Sequence, residues 1–257
     1  MANQSALNGG IPIGSLMVCV VLTERGEMAT ETAVPGLEGS TDPVQMAWHY
    51  QNAGAQVMFV DVWNSWDNLV AICESVRELS KTGLSLVVSI DNGLIRSVPE
   101  IRRVLDAGAF AVTVNTTAVD QPDLVRAVAE ELGSERLVCV VNVTTADDGT
   151  RDVRVDGGVR STGKEPVTWS AEVAALGVGS VVINDMDREK HGGGFNLPLL
   201  KSVVQAVDIP VICGGGSRSP RDLIPAFAEG AHSVLVLTQL HDAIHTTSEL
   251  LEVLPRA

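Results

Sequence analysis

Residues 212–219 read ICGGGSRS: an apolar run ends, three glycines follow, and a helix-like stretch begins. Residues 90–97, which lie 122 positions earlier, read IDNGLIRS in the same setting. The likeness continues beyond the glycines. RSVPEIRRVLDAGAFAVTVNT at 96–116 lies over RSPRDLIPAFAEGAHSVLVLT at 218–238, again 122 apart. VCVV at 18–21 recurs at 138–141, at an offset of 120. The chain therefore reads as two fused halves, roughly 14–132 and 135–257.

Outward from that repeat, short β-branched runs alternate with longer segments of helical period. Strands are expected at 16–22, 57–62, 84–90, 111–115, 137–143, 180–184, 210–213 and 233–238. Helices are expected at 43–52, 68–81, 98–107, 122–132, 166–175, 196–206, 220–229 and near 246–254. Continuous apolar strands, each followed by a helix, indicate a parallel sheet covered by helices. Eight such units in 257 residues fit a (β/α)₈ TIM barrel with a two-fold half-barrel repeat, as one domain over 1–257. A doubly wound open sheet fits less well, because no G-x-G-x-x-G follows the first strand.

The net charge of −14 argues against a general nucleic-acid or anionic-membrane surface. Cys19, Cys73, Cys139 and Cys213 have no metal-ligand spacing and read as buried free thiols of a reducing compartment. No leader-like N-terminus and no apolar run of ~20 residues is present. The expectation is a cytoplasmic protein with no cofactor and no metal.

Glycines after a buried strand and before a helix let backbone N–H groups close on an anion. In barrels the loops after the seventh and eighth strands are a frequent phosphate site. Gly215, Gly216, Ser217 and Thr238 are therefore expected to bind phosphate, with Asn115 and Thr116 as polar groups of the matching half. There, Asp91 would repel an anion and Asn92 and Leu94 would crowd it. One cradle reads as intact and its twin as eroded.

The pieces GSTDPVQMAWHY (39–50), VNTTAVDQPDLV (114–125), STGKEPVTW (161–169), NDMDRE (184–189) and GAHSVLVLTQLH (230–241) carry a resemblance. In order along nearly the whole chain, they resemble the histidine-biosynthesis barrels, most closely the cyclase subunits of imidazole glycerol phosphate synthase. That resemblance implies a substrate with a phosphate at each end, and ammonia delivered through the barrel by a glutaminase. It also implies one catalytic aspartate on the first strand and one on the fifth. Here the first falls on Leu22, or on Val21 after a shift of one residue, and the second on Asn142. Neither replacement works as acid or base near neutral pH. The family's charged ring at the barrel bottom falls on Leu16, Gln56, Ala111 and Ser180, which argues against a glutaminase partner.

Other polar groups at the strand ends then become the catalytic candidates: Asp91, Asp61 and Asp185 as bases, with Asn142 orienting or polarising. Trp63 and Trp66 are placed to stack on a planar substrate. Asp185, Asp187, Glu189 and His191 form an acidic loop, read as solvated rather than metal-binding. The expected function is proton-transfer chemistry, of lyase, cyclase or isomerase type, on a small singly phosphorylated metabolite. The alternative is a non-catalytic barrel that binds such a metabolite or a protein.

Overall fold

The computed structural model describes residues 11–63 and 65–255. Parallel pairing runs β1 (Ser15–Leu22), β2 (Val57–Val62), β3 (Ser85–Ile90), β4 (Ala111–Val114) and β5 (Leu137–Thr145). It continues through β8 (Ser180–Asp185), β9 (Val211–Gly214) and β10 (Ser233–Val236), which returns to β1. The β4–β5 pairing closes the ring, giving the (β/α)₈ barrel. Two further strands, β6 (Arg151–Val155) and β7 (Arg160–Ser161), extend β5 as an antiparallel hairpin above the barrel.

Helices α1 (Pro43–Asn52), α2 (Leu69–Ser80), α3 (Val98–Asp106), α5 (Pro122–Leu132), α6 (Pro166–Ala175), α8 (Leu197–Ala206) and α9 (Leu223–Ala228) form the outer layer. Their starts are chemically marked. Asp42, Ser97, Glu165 and Asn196 accept backbone N–H groups at the N-termini of α1, α3, α6 and α8, where unpaired donors need partners. Three short helices sit at the upper rim: α4 (Thr116–Asp120), α7 (Met186–His191) and α10 (Thr238–His241). A last helix, α11 (Thr247–Glu252), follows. Residues 185–191, expected as a solvated acidic loop, are thus mostly helical.

Strand alternation sorts the core into two compartments. Met17, Cys19, Val57, Phe59, Val87, Ala111, Val138, Val182 and Ile212 pack together inside the barrel. Val18, Val20, Leu22, Val60, Val88, Val112, Val141 and Ile183 belong to the layer between sheet and helices. This parity decides between the two residues offered for the first strand: Leu22 faces the helices, and Val21 lines the mouth of the barrel. Leu16 likewise faces outward, so the comparison with a charged ring was one residue out on this strand.

The parity is testable on two adjacent valines. Val20→Asp places an unpaired charge among outer-layer side chains and is expected to cost about 3–5 kcal/mol. Val21→Asp opens onto the cavity and should leave a cooperatively folded protein. Urea unfolding of both variants measures the difference.

Candidate active site

A cavity of about 280 Å³ opens at the C-terminal ends of the strands, where barrel active sites form. Val21, Asp61, Trp63, Asn142, Asn184, Glu189, Arg218 and the loop from Gly215 to Ser217 line it. Of the three aspartates expected as bases, Asp61 alone reaches it. Asp61 is the inward-facing residue near the end of β2, and the Trp63 indole Nε1 donates to its Oδ2 at 3.0 Å. Burial raises the Asp61 pKa, against hydrogen bonds from Trp63 and Ser89 that lower it. A largely desolvated carboxylate with a raised pKa is a group suited to holding and releasing a proton.

The other two aspartates have structural places. Asp185 follows the outward-facing Ile183 by two residues and shares its side of the sheet. It is 3% exposed, caps α7 through Arg188 N (2.9 Å), and accepts from Asn196 Nδ2 (2.7 Å). Asp91 stands in a tight turn at φ 47° and is not part of the cavity wall. Trp66 is also corrected: it is 2% exposed, and its Nε1 donates to Leu94 O at 2.7 Å. It packs the loop after β2 onto the loop after β3, leaving Trp63 as the indole at the mouth. Cys213 faces the helices, and burial pushes its thiol pKa up.

Asn142 does line the cavity. Its Oδ1 accepts from Asn184 Nδ2 at 3.0 Å, and the same Nδ2 donates to Glu189 Oε2 at 3.1 Å. Glu189 was not singled out from sequence as catalytic, because its approach to the cavity depends on α7. Cys19 lines the same cavity, and its thiol pKa is raised by burial first, then by the charges of Asp61 and Glu189. Among the described residues no group of three His, Cys, Asp or Glu is placed to hold a metal.

The two glycine-position loops behave differently. Gly215 and Gly216 have φ 79° and 105°. A Cβ at Gly215 would stand 2.5 Å from Asp185 O, and one at Gly216 would stand 2.6 Å from Gly194 O. Among the described residues, the N–H groups of Gly215, Gly216 and Ser217 have no protein acceptor. Gln239 Nε2 donates to Ser217 Oγ at 2.8 Å, which leaves the hydroxyl hydrogen of Ser217 to point elsewhere. Thr238 completes this wall.

In the loop 122 positions earlier, every corresponding N–H is used internally. Gly93 N donates to Ile90 O, Leu94 N to Asp91 O, and Ile95 N to Thr117 Oγ1. Thr116 is occupied as well: its Oγ1 accepts Asp156 N at 3.0 Å and donates to Asn92 O at 3.4 Å. Asn115 Nδ2 donates to Val140 O (2.8 Å) and Arg154 O (3.2 Å). The expected phosphate contacts from Asn115 and Thr116 are therefore committed to the β5–β6–β7 hairpin and its neighbours.

A model of the histidine biosynthesis protein family matches residues 19–246. The chain belongs to that family. It is 32% identical to a Corynebacterium diphtheriae protein over 247 residues, covering 93% of this chain and 95% of that one. It is 32% identical to a Thermococcus onnurineus protein, over 90% and 91% of the two chains. It is 33% identical to an Alkaliphilus metalliredigens protein, over 84% and 86%. Each of these relatives is named imidazole glycerol phosphate synthase subunit HisF. These relatives overturn the expectation that excluded a glutaminase partner, since each is named as a synthase subunit. They are one subunit of a multi-chain synthase, and the ring argument that removed the partner rested partly on the misplaced Leu16. No helix among the described residues is long and apolar enough to cross a membrane.

The raised pKa of Asp61 has a signed consequence. Above the ordinary carboxylate range the unfolded state loses this proton more readily than the folded state, so Asp61 destabilises the fold as pH rises through that window. Asp61→Asn should therefore gain stability over the wild type as pH increases from about 4 to about 8. Denaturant midpoints across that range measure the gap; a gap that is constant with pH contradicts the assignment.

Proposed function

We propose that this family member has been remodelled for proton-transfer chemistry, of lyase, cyclase or isomerase type, on a small substrate bearing one phosphate. The observation that carries the reading is the contrast between the two loops. Among the described residues, Gly215, Gly216 and Ser217 hold three N–H groups without protein acceptors, whereas Gly93, Leu94 and Ile95 have spent theirs. Backbone N–H groups converging at a glycine turn suit a phosphate. Ser217 and Thr238 add hydroxyl groups beside them.

The half-barrel repeat supports the same reading. A barrel made from two like halves begins with two anion sites, and here one of them is closed by its own hydrogen bonds. The acid–base pair that the family resemblance implies is replaced by Val21 and Asn142, both on the cavity wall. Asp61 then acts as the proton-holding group. Asn142 orients the substrate, because an amide can hydrogen-bond but cannot ionise near neutral pH. Trp63 both fixes Asp61 and offers its ring face at the mouth, being 57% exposed.

Crystals soaked in inorganic phosphate test this directly. Density is expected against Gly215–Ser217 and Thr238 and not against residues 93–95. Ser217→Ala should weaken phosphate about tenfold, the value of one hydrogen bond to a charged group. Phosphate bound equally at both loops, or turnover of the family's twin-phosphate substrate with ammonium by the wild-type chain, overturns the proposal.

A further inference from the structure

Gln239 follows Thr238 in α10 and is 1% exposed. Its side chain reaches the cavity only through Ser217, which lines it. The short helix that carries Gln239 is pinned from the other side. His241 O accepts from Ala33 N and from Thr32 Oγ1, each at 3.0 Å, and His241 Nε2 meets Thr30 Oγ1 at 2.6 Å. His245 N donates to Gln239 O at 3.0 Å. Gln239 is therefore held in place by contacts that do not involve the glycine loop.

The direction of the Gln239–Ser217 bond follows from what each orientation leaves bare. Among the described residues the side-chain amide has one partner, Ser217 Oγ, and its Oε1 has none. Turned over, the amide would bury two N–H donors without partners and take the Ser217 hydrogen onto its own oxygen. With Nε2 toward Ser217, one bare acceptor replaces two bare donors, which is the smaller cost. Ser217 Oγ already accepts in that arrangement, so its single hydrogen is left to give.

The same two positions meet in the other half of the barrel, with the opposite result. There Ile95 corresponds to Ser217 and Thr117 to Gln239, each 122 residues earlier. Thr117 Oγ1 accepts Ile95 N at 2.7 Å and donates to Ile95 O at 3.4 Å. The residue behind that loop engages its backbone donor. Gln239 instead bonds the side chain of Ser217, and Ser217 N has no protein acceptor among the described residues.

We infer that Gln239 is a positioning residue of the anion site: its amide fixes the Ser217 hydroxyl as a donor aimed into the cavity, beside the N–H groups of Gly215–Ser217. The hydroxyl has roughly three staggered positions about its C–O bond. The amide removes that freedom before a ligand arrives, and ordering a contact group in advance raises affinity. The oxygen that meets Ser217 accepts and carries no proton, as an ionised phosphate oxygen does. The inference rests on the one-phosphate reading and adds the residue that sets the strength of its grip.

NMR titration of inorganic phosphate into wild type, Gln239→Met, Ser217→Ala and the double variant forms a double-mutant cycle. Gln239→Met is expected to weaken phosphate about threefold when Ser217 is present, the effect of releasing a rotor with three positions. In the Ser217→Ala background it should change nothing further. Equal weakening in both backgrounds would mean that Gln239 only supports the loop, and it overturns the inference. So does an unchanged affinity in Gln239→Met. Gln239→Leu repeats the cycle if the methionine variant does not fold. Phosphate held at the glycine loop without this coupling removes the inference alone, whereas phosphate absent from that loop in the wild type removes the functional proposal with it.

Discussion

A closed parallel sheet gives every strand residue one of two addresses: the barrel interior or the layer beneath the helices. Much of this site follows from that restriction. Asp61 and Asn142 are functional candidates because they fall on inward positions near strand ends. Asp185 has comparable chemistry but falls on an outward position, and there it caps a helix. Cys213 is turned away from the glycine loop it precedes by the same rule. Residue type alone does not distinguish these groups; parity does.

The second organising fact is how backbone donors are shared out. A phosphate loop works only if its N–H groups are spared by the rest of the protein. At Gly215–Ser217 the chain spares them, and positive φ angles at two glycines hold the loop open. In the other half, Asp91 and Asn92 adopt left-handed backbone angles of 47° and 56°, so the turn survives without a glycine at either position. It turns on itself, and its donors close internal bonds. What separates the two loops is therefore less the charge of Asp91, read from sequence as the repelling group, than the internal use of N–H groups.

Barrel architecture was legible in the sequence because apolar runs, helical periods and glycine turns repeat in register. The first strand was harder. LMVCVVL is apolar at every position, so nothing within it marks which side chains face inward, and only closure of the sheet decides between Leu22 and Val21. The β6–β7 hairpin was missed because RDVRV and its neighbours are short and polar. Glu189 entered the cavity wall through a helix of six residues that sequence read as loop. The locked amide of Asn115 depends on Arg154 O, 39 residues away, a pairing that no local pattern contains. Trp63 and Trp66, three positions apart, are equivalent in sequence; packing places one at the cavity mouth and the other in the core.

The hairpin gives this specialisation a ratchet. Asp156 N is bound to Thr116, Arg154 O holds Asn115, and Gly157 approaches Asn92 so closely that a Cβ would lie 3.0 Å from its Oδ1. Glycines at 92 and 94 alone would not free this loop for an anion, because the strands folded over it would still hold its polar groups. On the proposed reading, a second phosphate would need coordinated change in two distant segments, neither useful without the other. Divergence of this kind is easier to enter than to leave.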